Sequence, residues 1–108
     1  MTPEKIFENK VKSFLNSEGA WYVKYFANRN TKSGIPDILA CVNGYFVGLE
    51  TKAQHGSPSA LQEYNCLKIR EAGGYAYIVY PSGFEKLKLI IYGLNCDRVP
   101  EELPLIIK

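Results

Sequence analysis

The chain contains few of the residues that usually build small metal sites or disulfide frameworks. Among its 108 residues there are only three cysteines and one histidine, and no two cysteines form a C-x-x-C pair. This scarcity excludes a multi-histidine metal cluster and gives no sign of a zinc motif or a disulfide scaffold. We therefore expect reduced, mostly buried thiols, as is usual for a cytoplasmic protein.

Long apolar runs and a strong net charge are also missing. No apolar stretch approaches the roughly 20 residues needed to cross a bilayer, and the first residues lack the apolar segment of a secretion signal, so a membrane is not an expected partner. The net charge is only +2, and no strongly basic tail points to nucleic acid. With 46% hydrophobic and 22% charged residues, residues 1–108 have the composition of a single globular domain.

Helix and strand signals alternate in the first half of the chain. Thr2-Pro3-Glu4 is a helix start, and apolar residues at helical spacing continue as far as Gly19. The aromatic and β-branched segment 20–27 predicts a strand. A polar loop follows, and residues 35–53 then predict a β-hairpin.

In the second half, Ser57 or Ser59 can cap another helix, which ends at 73–74. The apolar segment 75–80 predicts a strand that runs parallel to a hairpin strand, because a helix connects them. Residues 83–94 fit a helix better than a strand, and the remaining tail is expected to be irregular. The order αβββαβ predicts an α/β fold with a mixed central sheet flanked by helices.

The predicted hairpin turn determines which residues of its two strands face each other. Asn43-Gly44 is the strongest short hairpin signal, since both central residues of a type I′ turn need positive φ. With this turn, Asp37 lies directly opposite Glu50, with Cβ atoms roughly 5 Å apart on one face of the sheet, and Lys52 shares that face. Two carboxylates this close repel each other unless a cation lies between them. The register alone therefore predicts a metal site.

Facing carboxylates supply the hard oxygen ligands that Mg²⁺ and Mn²⁺ prefer. Such an ion makes water more acidic and neutralises the charge that develops on a phosphate. Lys52 adds a cation that can orient the attacking water and stabilise the transition state. The backbone carbonyl of Thr51, between Glu50 and Lys52, is a candidate third metal ligand. These residue types favour phosphodiester hydrolysis.

The pattern Pro36-Asp37 followed by Glu50-Thr51-Lys52 resembles the PD-(D/E)xK nuclease superfamily, and within it the stand-alone VRR-NUC domains of phage type. The resemblance covers about residues 3–85, leaving 86–108 as a C-terminal extension. Its matching positions are Glu8, Gly19, Lys24, 32–37, 48–53, 56–62 and 71–76. It implies a restriction-endonuclease-like fold. The chain departs from the commonest pattern at Thr51, where an apolar residue is usual.

The resemblance also implies an activity and roles for individual residues. It implies a Mg²⁺- or Mn²⁺-dependent endonuclease that acts on branched or flapped DNA such as Holliday junctions, forms a homodimer, and is a cytoplasmic protein encoded by a phage or prophage. Asp37 and Glu50 would be metal ligands, and Lys52 would be the catalytic lysine. Glu8 in the first helix would join the metal shell, and Gln62 in the second helix would position water or phosphate.

Simpler explanations exist for several of these residues. Glu4 competes with Glu8 for the role of helix acid, although Glu4 also suits the positive end of the helix dipole. Gln62 fits the third position of a capping box with Ser59. The basic residues before the hairpin can bind DNA phosphates or can be solvated loop charges: Lys24, Arg29 and Lys32.

Two other functions fit the same pattern. One is a DNA-junction-binding module that keeps the nuclease fold but is catalytically idle. The other is a small structural or assembly protein whose hairpin charges are simply exposed, an arrangement worth little stability. The intact acid pair and lysine favour the nuclease. Exposed members of the aromatic segment 21–26 are candidates for the dimer contact.

Overall fold

The computed structural model describes residues 1–26, 30–101 and 104–108. These residues form a mixed α/β domain with three α-helices and five β-strands. In chain order the elements are α1 (Pro3–Ser17), β1 (Trp21–Lys24), β2 (Ile38–Val42), β3 (Tyr45–Thr51), α2 (Ala60–Glu71), β4 (Tyr75–Val79), α3 (Phe84–Asn95) and β5 (Ile106–Ile107), with a 3₁₀ turn at Pro81–Gly83 before α3. The predicted α/β class is confirmed, and the segment 83–94 is a helix.

The five strands form one sheet in the order β1-β2-β3-β4-β5. Strand β2 is antiparallel to both β1 and β3, whereas β4 runs parallel to β3 and β5 runs parallel to β4. The predicted parallel pairing of the strand after α2 with a hairpin strand is therefore confirmed. The sheet is mixed because a tight turn joins β2 to β3 and a helix joins β3 to β4.

The hairpin has the turn and the register that its sequence predicts. Asn43 and Gly44 have φ values of 51° and 85°, as a type I′ turn requires. Ile38 pairs with Leu49, so the next residues outward are Asp37 and Glu50, and no bulge disturbs the pairing between them and the turn.

Helices cover both faces of the sheet. Helices α1 and α3 pack on one face, where they form the main core with the inward side chains of the strands. Its buried members are Phe7, Val11, Leu15, Ile38, Ala40, Val42, Val47, Leu49, Tyr77, Val79, Phe84, Leu87, Ile91, Leu94 and Ile107. Helix α2 covers part of the opposite face with a smaller cluster, which consists of Cys66, Ala76, Ile78 and Tyr80. In the described ranges no helix has the length and apolar character needed to span a membrane.

Helix α2 begins where the capping-box signal predicts. The Ser59 hydroxyl accepts a hydrogen bond from the Gln62 backbone N–H at 3.1 Å, and the Gln62 side-chain oxygen accepts one from the Ser59 N–H at 2.9 Å. Ser59, and not Ser57, is therefore the N-cap. The cap fixes the first turn of α2 beside the end of β3, and so it positions the Gln62 side chain.

The expectation of an irregular tail is wrong for the last residues of the chain. Ile106–Ile107 forms β5 and hydrogen-bonds to β4. A two-residue strand is too short to show a period-2 pattern, and its pairing depends on a neighbour nearly thirty residues earlier in the chain. Gly83 permits this close approach, since a Cβ there would lie 2.4 Å from the Ile107 carbonyl oxygen.

Candidate metal centre

Three carboxylates from three different elements meet at one end of the β2–β3 hairpin. Glu4 comes from the first turn of α1, Asp37 precedes β2, and Glu50 lies near the end of β3. One oxygen of each lies within 4.8 Å of the others. The predicted approach of Asp37 to Glu50 is therefore confirmed, and Glu4 joins them. We call Glu4, Asp37 and Glu50 the acidic triad.

The two oxygens of the Glu50 carboxylate have different surroundings. Oε2 accepts a hydrogen bond from Gln62 Nε2 at 3.1 Å and lies 3.4 Å from Lys52 Nζ. Oε1 is buried and has no hydrogen-bond partner among the described residues, in a residue that is only 2% exposed. A buried carboxylate oxygen without a partner is costly, and a cation beside it would remove that cost.

The surroundings of Glu50 also change its acidity. Burial raises the pKa of Glu50, the nearby charge of Asp37 raises it further, and Lys52 only partly opposes them, so that this pKa is about 7. Near neutral pH the carboxyl group therefore keeps a proton for part of the time. That proton relieves the same repulsion that a metal ion would relieve.

Asp37 is held by Thr51 on one side and by Lys24 on the other. The Thr51 backbone N–H and hydroxyl donate to Asp37 Oδ2 at 3.3 and 3.2 Å. Lys24 Nζ lies 3.5 Å from Asp37 Oδ1. Sequence reasoning gave Thr51 only a carbonyl role and missed the hydroxyl contact. The signal was present in the sequence as a hydroxyl at a position where the resemblance leads one to expect an apolar side chain.

Glu8 has different neighbours from those that the resemblance implies. Its buried carboxylate contacts the ammonium groups of Lys5 at 2.8 Å, Lys12 at 2.9 Å and Lys24. Burial alone would raise the pKa of Glu8, but the hydrogen bonds from these lysines lower it to about 2. Glu8 is thus an ionised carboxylate that pairs with three lysines, and Glu4 is the acid of α1 that belongs to the acidic triad. The two glutamates are one helical turn apart, so their spacing in the sequence did not distinguish them.

Beside the acidic triad is an open cavity of about 340 Å³. Lys24 links two of the acidic residues that line this cavity, since its ammonium group contacts both Glu8 and Asp37. Burial lowers the pKa of Lys24, but these two carboxylates outweigh it and raise the pKa overall. The residues that line the cavity are Thr2, Glu4, Lys5, Glu8, Lys24, Phe26 and Asp37.

The remaining predicted site residues differ in their surroundings. Gln62 completes the capping box as expected and also donates to Glu50, whereas its role in positioning water or phosphate stays a prediction. Lys32 is exposed, and its backbone carbonyl accepts a hydrogen bond from the Tyr25 hydroxyl at 2.7 Å. Arg29 lies outside the described residues, so its role in DNA binding stays a prediction, as does that of Lys24 and Lys32.

We expect the raised pKa of Glu50 to make stability depend on pH in the absence of metal. When the pKa of a carboxyl group is higher in the folded state than in the unfolded state, its proton stabilises the fold. This stabilisation is complete at a pH below the pKa of the unfolded state, and it is lost as the pH rises through the pKa of the folded state. The relevant window runs from 4.5 to about 7. Across it, the free energy of unfolding of the wild type should fall by about 2–3 kcal/mol relative to Glu50→Gln.

Urea unfolding with EDTA between pH 4.5 and 8 measures this difference. Glu85→Gln is the matched control, because Glu85 is an exposed glutamate on α3 with its own lysine partner, Lys88. The control should follow the wild-type curve. Parallel curves for the wild type and Glu50→Gln would show that the Glu50 proton is not coupled to folding.

A scan against models of known protein families and a search of curated proteins found no match to this chain. Its function has to be inferred from the chemistry of its own residues.

Proposed function

We propose that this protein is a Mg²⁺- or Mn²⁺-dependent endonuclease with a restriction-endonuclease-like fold, which hydrolyses phosphodiester bonds in branched or flapped DNA. The observation that carries the proposal is the buried carboxylate of Glu50. Its Oε1 has no partner among the described side chains and backbone groups, and the carboxylates of Asp37 and Glu4 lie within 4.8 Å. The resemblance of the Asp37, Glu50 and Lys52 pattern to the nuclease superfamily supports the same function.

The charges at the acidic triad favour a divalent cation. Three carboxylates are grouped there, with Lys24 and Lys52 as the nearby ammonium groups. Of these carboxylates Glu50 is buried, Asp37 is half-buried and Glu4 is exposed, and a buried carboxylate needs a cation or a proton to balance its charge. Glu4, Asp37 and Glu50 would hold the ion, with the Thr51 carbonyl as a further ligand, and oxygen donors of this kind suit Mg²⁺ and Mn²⁺. When bound, the ion would acidify a water molecule and neutralise charge on the phosphate.

Lys52 and Gln62 have separate tasks in this mechanism. The Lys52 side chain is mostly buried, so its ammonium group is held close to Glu50 and can stabilise negative charge on the phosphate. The amide of Gln62 fixes the orientation of the Glu50 carboxylate. In the reaction, water attacks phosphorus in line with the leaving 3′ oxygen and gives up a proton to solvent. The bond from phosphorus to the 3′ oxygen breaks, and solvent protonates that oxygen.

The proposal includes a homodimer and a DNA-binding role for Lys24, Arg29 and Lys32. Within the described residues, β1 pairs with β2 and leaves its other edge open. Trp21 and Val23 on this strand are exposed. An exposed apolar strand edge is a common place for two copies to meet, and we propose that the dimer forms there.

Cleavage of defined DNA substrates tests the nuclease proposal. The wild type should cut four-way junction or flap DNA with Mg²⁺ or Mn²⁺, and EDTA should abolish cutting. Glu50→Gln should lose both cutting and Mg²⁺ binding by calorimetry, whereas Glu85→Gln should keep both. Cutting that survives EDTA would contradict a metal-dependent mechanism. Junction binding without cutting on any substrate would identify an idle binding module.

A further inference from the structure

Phe26 is an exposed aromatic residue at the cavity beside the acidic triad. Its side chain is 72% exposed, and it lines the same cavity as Glu4 and Asp37. The other residues that line the cavity are polar or charged, and the ring does not belong to the apolar core. An exposed ring at this position can contact an external partner that offers a flat, apolar surface close to a charged group.

Lys24 fixes the position of this ring relative to the acidic triad. Lys24 Nζ lies 5.7 Å from the centre of the Phe26 ring and 3.5 Å from Asp37 Oδ1. The ammonium group occupies one side of the ring, as in a cation–π contact, while most of the side chain remains accessible. The centre of the ring therefore lies at most about 9 Å from this Asp37 oxygen.

We propose that Phe26 stacks on an unpaired nucleobase next to the scissile phosphate, so that the enzyme prefers flapped or splayed DNA over fully paired duplex. This inference rests on the proposed nuclease function and specifies its substrate. Every base offers a flat face to an aromatic ring, which makes such stacking independent of sequence. In a duplex both faces are covered by neighbouring bases, and exposing one requires unstacking. A base in a flap avoids that cost.

Fluorescence of 2-aminopurine tests the contact without relying on cleavage. The base analogue is placed in a flap next to the expected cut, and binding is measured with Ca²⁺, which accepts oxygen ligands in less strict geometry than Mg²⁺. The wild type should quench the fluorescence. Phe26→Ala should bind the flap about 5- to 150-fold more weakly without quenching, its affinity for duplex should not change, and Phe26→Tyr should behave like the wild type.

Tyr64→Ala is the matched control. Tyr64 is a half-exposed aromatic residue on α2 with Lys68 Nζ at 5.6 Å from its ring, and it does not line the cavity beside the triad. It should bind and quench like the wild type. If Phe26→Ala and the wild type bound the flap with equal affinity and equal quenching, the stacking inference would be overturned. Cleavage by the wild type would still support the nuclease proposal in that case.

Two other results have distinct meanings. Quenching by a wild type that cuts no DNA would support the stacking contact and contradict the proposed catalysis. A change in sedimentation coefficient for Phe26→Ala, with unchanged quenching, would place Phe26 in a contact between two copies and overturn the inference.

Discussion

Replacing Lys52 by methionine is expected to slow Mg²⁺-dependent cleavage by about 100- to 1,000-fold, the usual loss when one preorganised group that stabilises transition-state charge is removed. Methionine keeps most of the volume of the lysine stem and removes only the cation. The carboxylates of the acidic triad remain in place, so Mg²⁺ affinity should change little. Single-turnover cleavage of flap or junction DNA and calorimetric Mg²⁺ titration measure the two quantities separately.

The pH of this experiment matters, because Lys52 lowers the pKa of Glu50. Without the lysine the carboxyl group will hold its proton more tightly, which can weaken metal binding near neutrality. The comparison is therefore made at about pH 8.5, more than one unit above the Glu50 pKa of about 7. Lys68→Met is the control, since Lys68 is an exposed lysine on α2 paired with Glu71. Wild-type cleavage rates in Lys52→Met would remove Lys52 from the mechanism.

Replacing Glu8 by glutamine is expected to lower the free energy of unfolding by about 2–4 kcal/mol at pH 7. The change keeps the shape of the side chain but leaves three ammonium groups without their shared carboxylate. Removing one partner of a fully buried ion pair costs about 3–5 kcal/mol. The expected loss is smaller here because the three lysine side chains are 19–44% exposed.

The pH dependence of stability gives a second measure of Glu8. Its pKa is lower in the folded state, so its stabilisation is present above 4.5 and is lost as the pH falls towards 2. The wild type should show this loss, and Glu8→Gln should not. Glu85→Gln should change the free energy of unfolding by less than about 0.5 kcal/mol. A Glu8→Gln protein as stable as the wild type would contradict a structural role for the lysine cluster.

Metal titration of Glu4→Gln and Glu8→Gln distinguishes the roles of the two glutamates of α1. Glu4→Gln should weaken Mg²⁺ binding, because Glu4 belongs to the acidic triad. Folded Glu8→Gln should bind Mg²⁺ nearly as well as the wild type. The opposite result would return Glu8 to the metal shell, as the sequence resemblance implies.

Much of the fold can be predicted from short sequence signals at helix starts and at the hairpin turn. The Thr2 and Ser59 caps set the helix starts, and both were predicted within a residue or two. Asn43-Gly44 determined the turn and with it the register of the hairpin. Each of these signals acts over a few residues, so no knowledge of the rest of the molecule was needed.

Contacts between distant segments were harder to predict. Strand β5 depends on β4 for its hydrogen bonds, and its two residues carry too little pattern to mark them as a strand. The choice between Glu4 and Glu8 depends on how α1 lies on the sheet, because the two side chains share one helical face. The bond from the Thr51 hydroxyl to Asp37 likewise follows from where β2 begins.

The local sequence is enough to place Asp37 opposite Glu50, because a two-residue turn permits only one pairing of the strands beside it. What surrounds this pair depends on how the distant segments of the chain pack together. Burial under α2 leaves Glu50 Oε1 without a partner among the described residues, and the packing of α1 adds Glu4 to the acids while giving Glu8 to three lysines. The burial and the charge surroundings of a side chain depend on neighbours from every element that packs against it, and a sequence pattern does not show which neighbours these are.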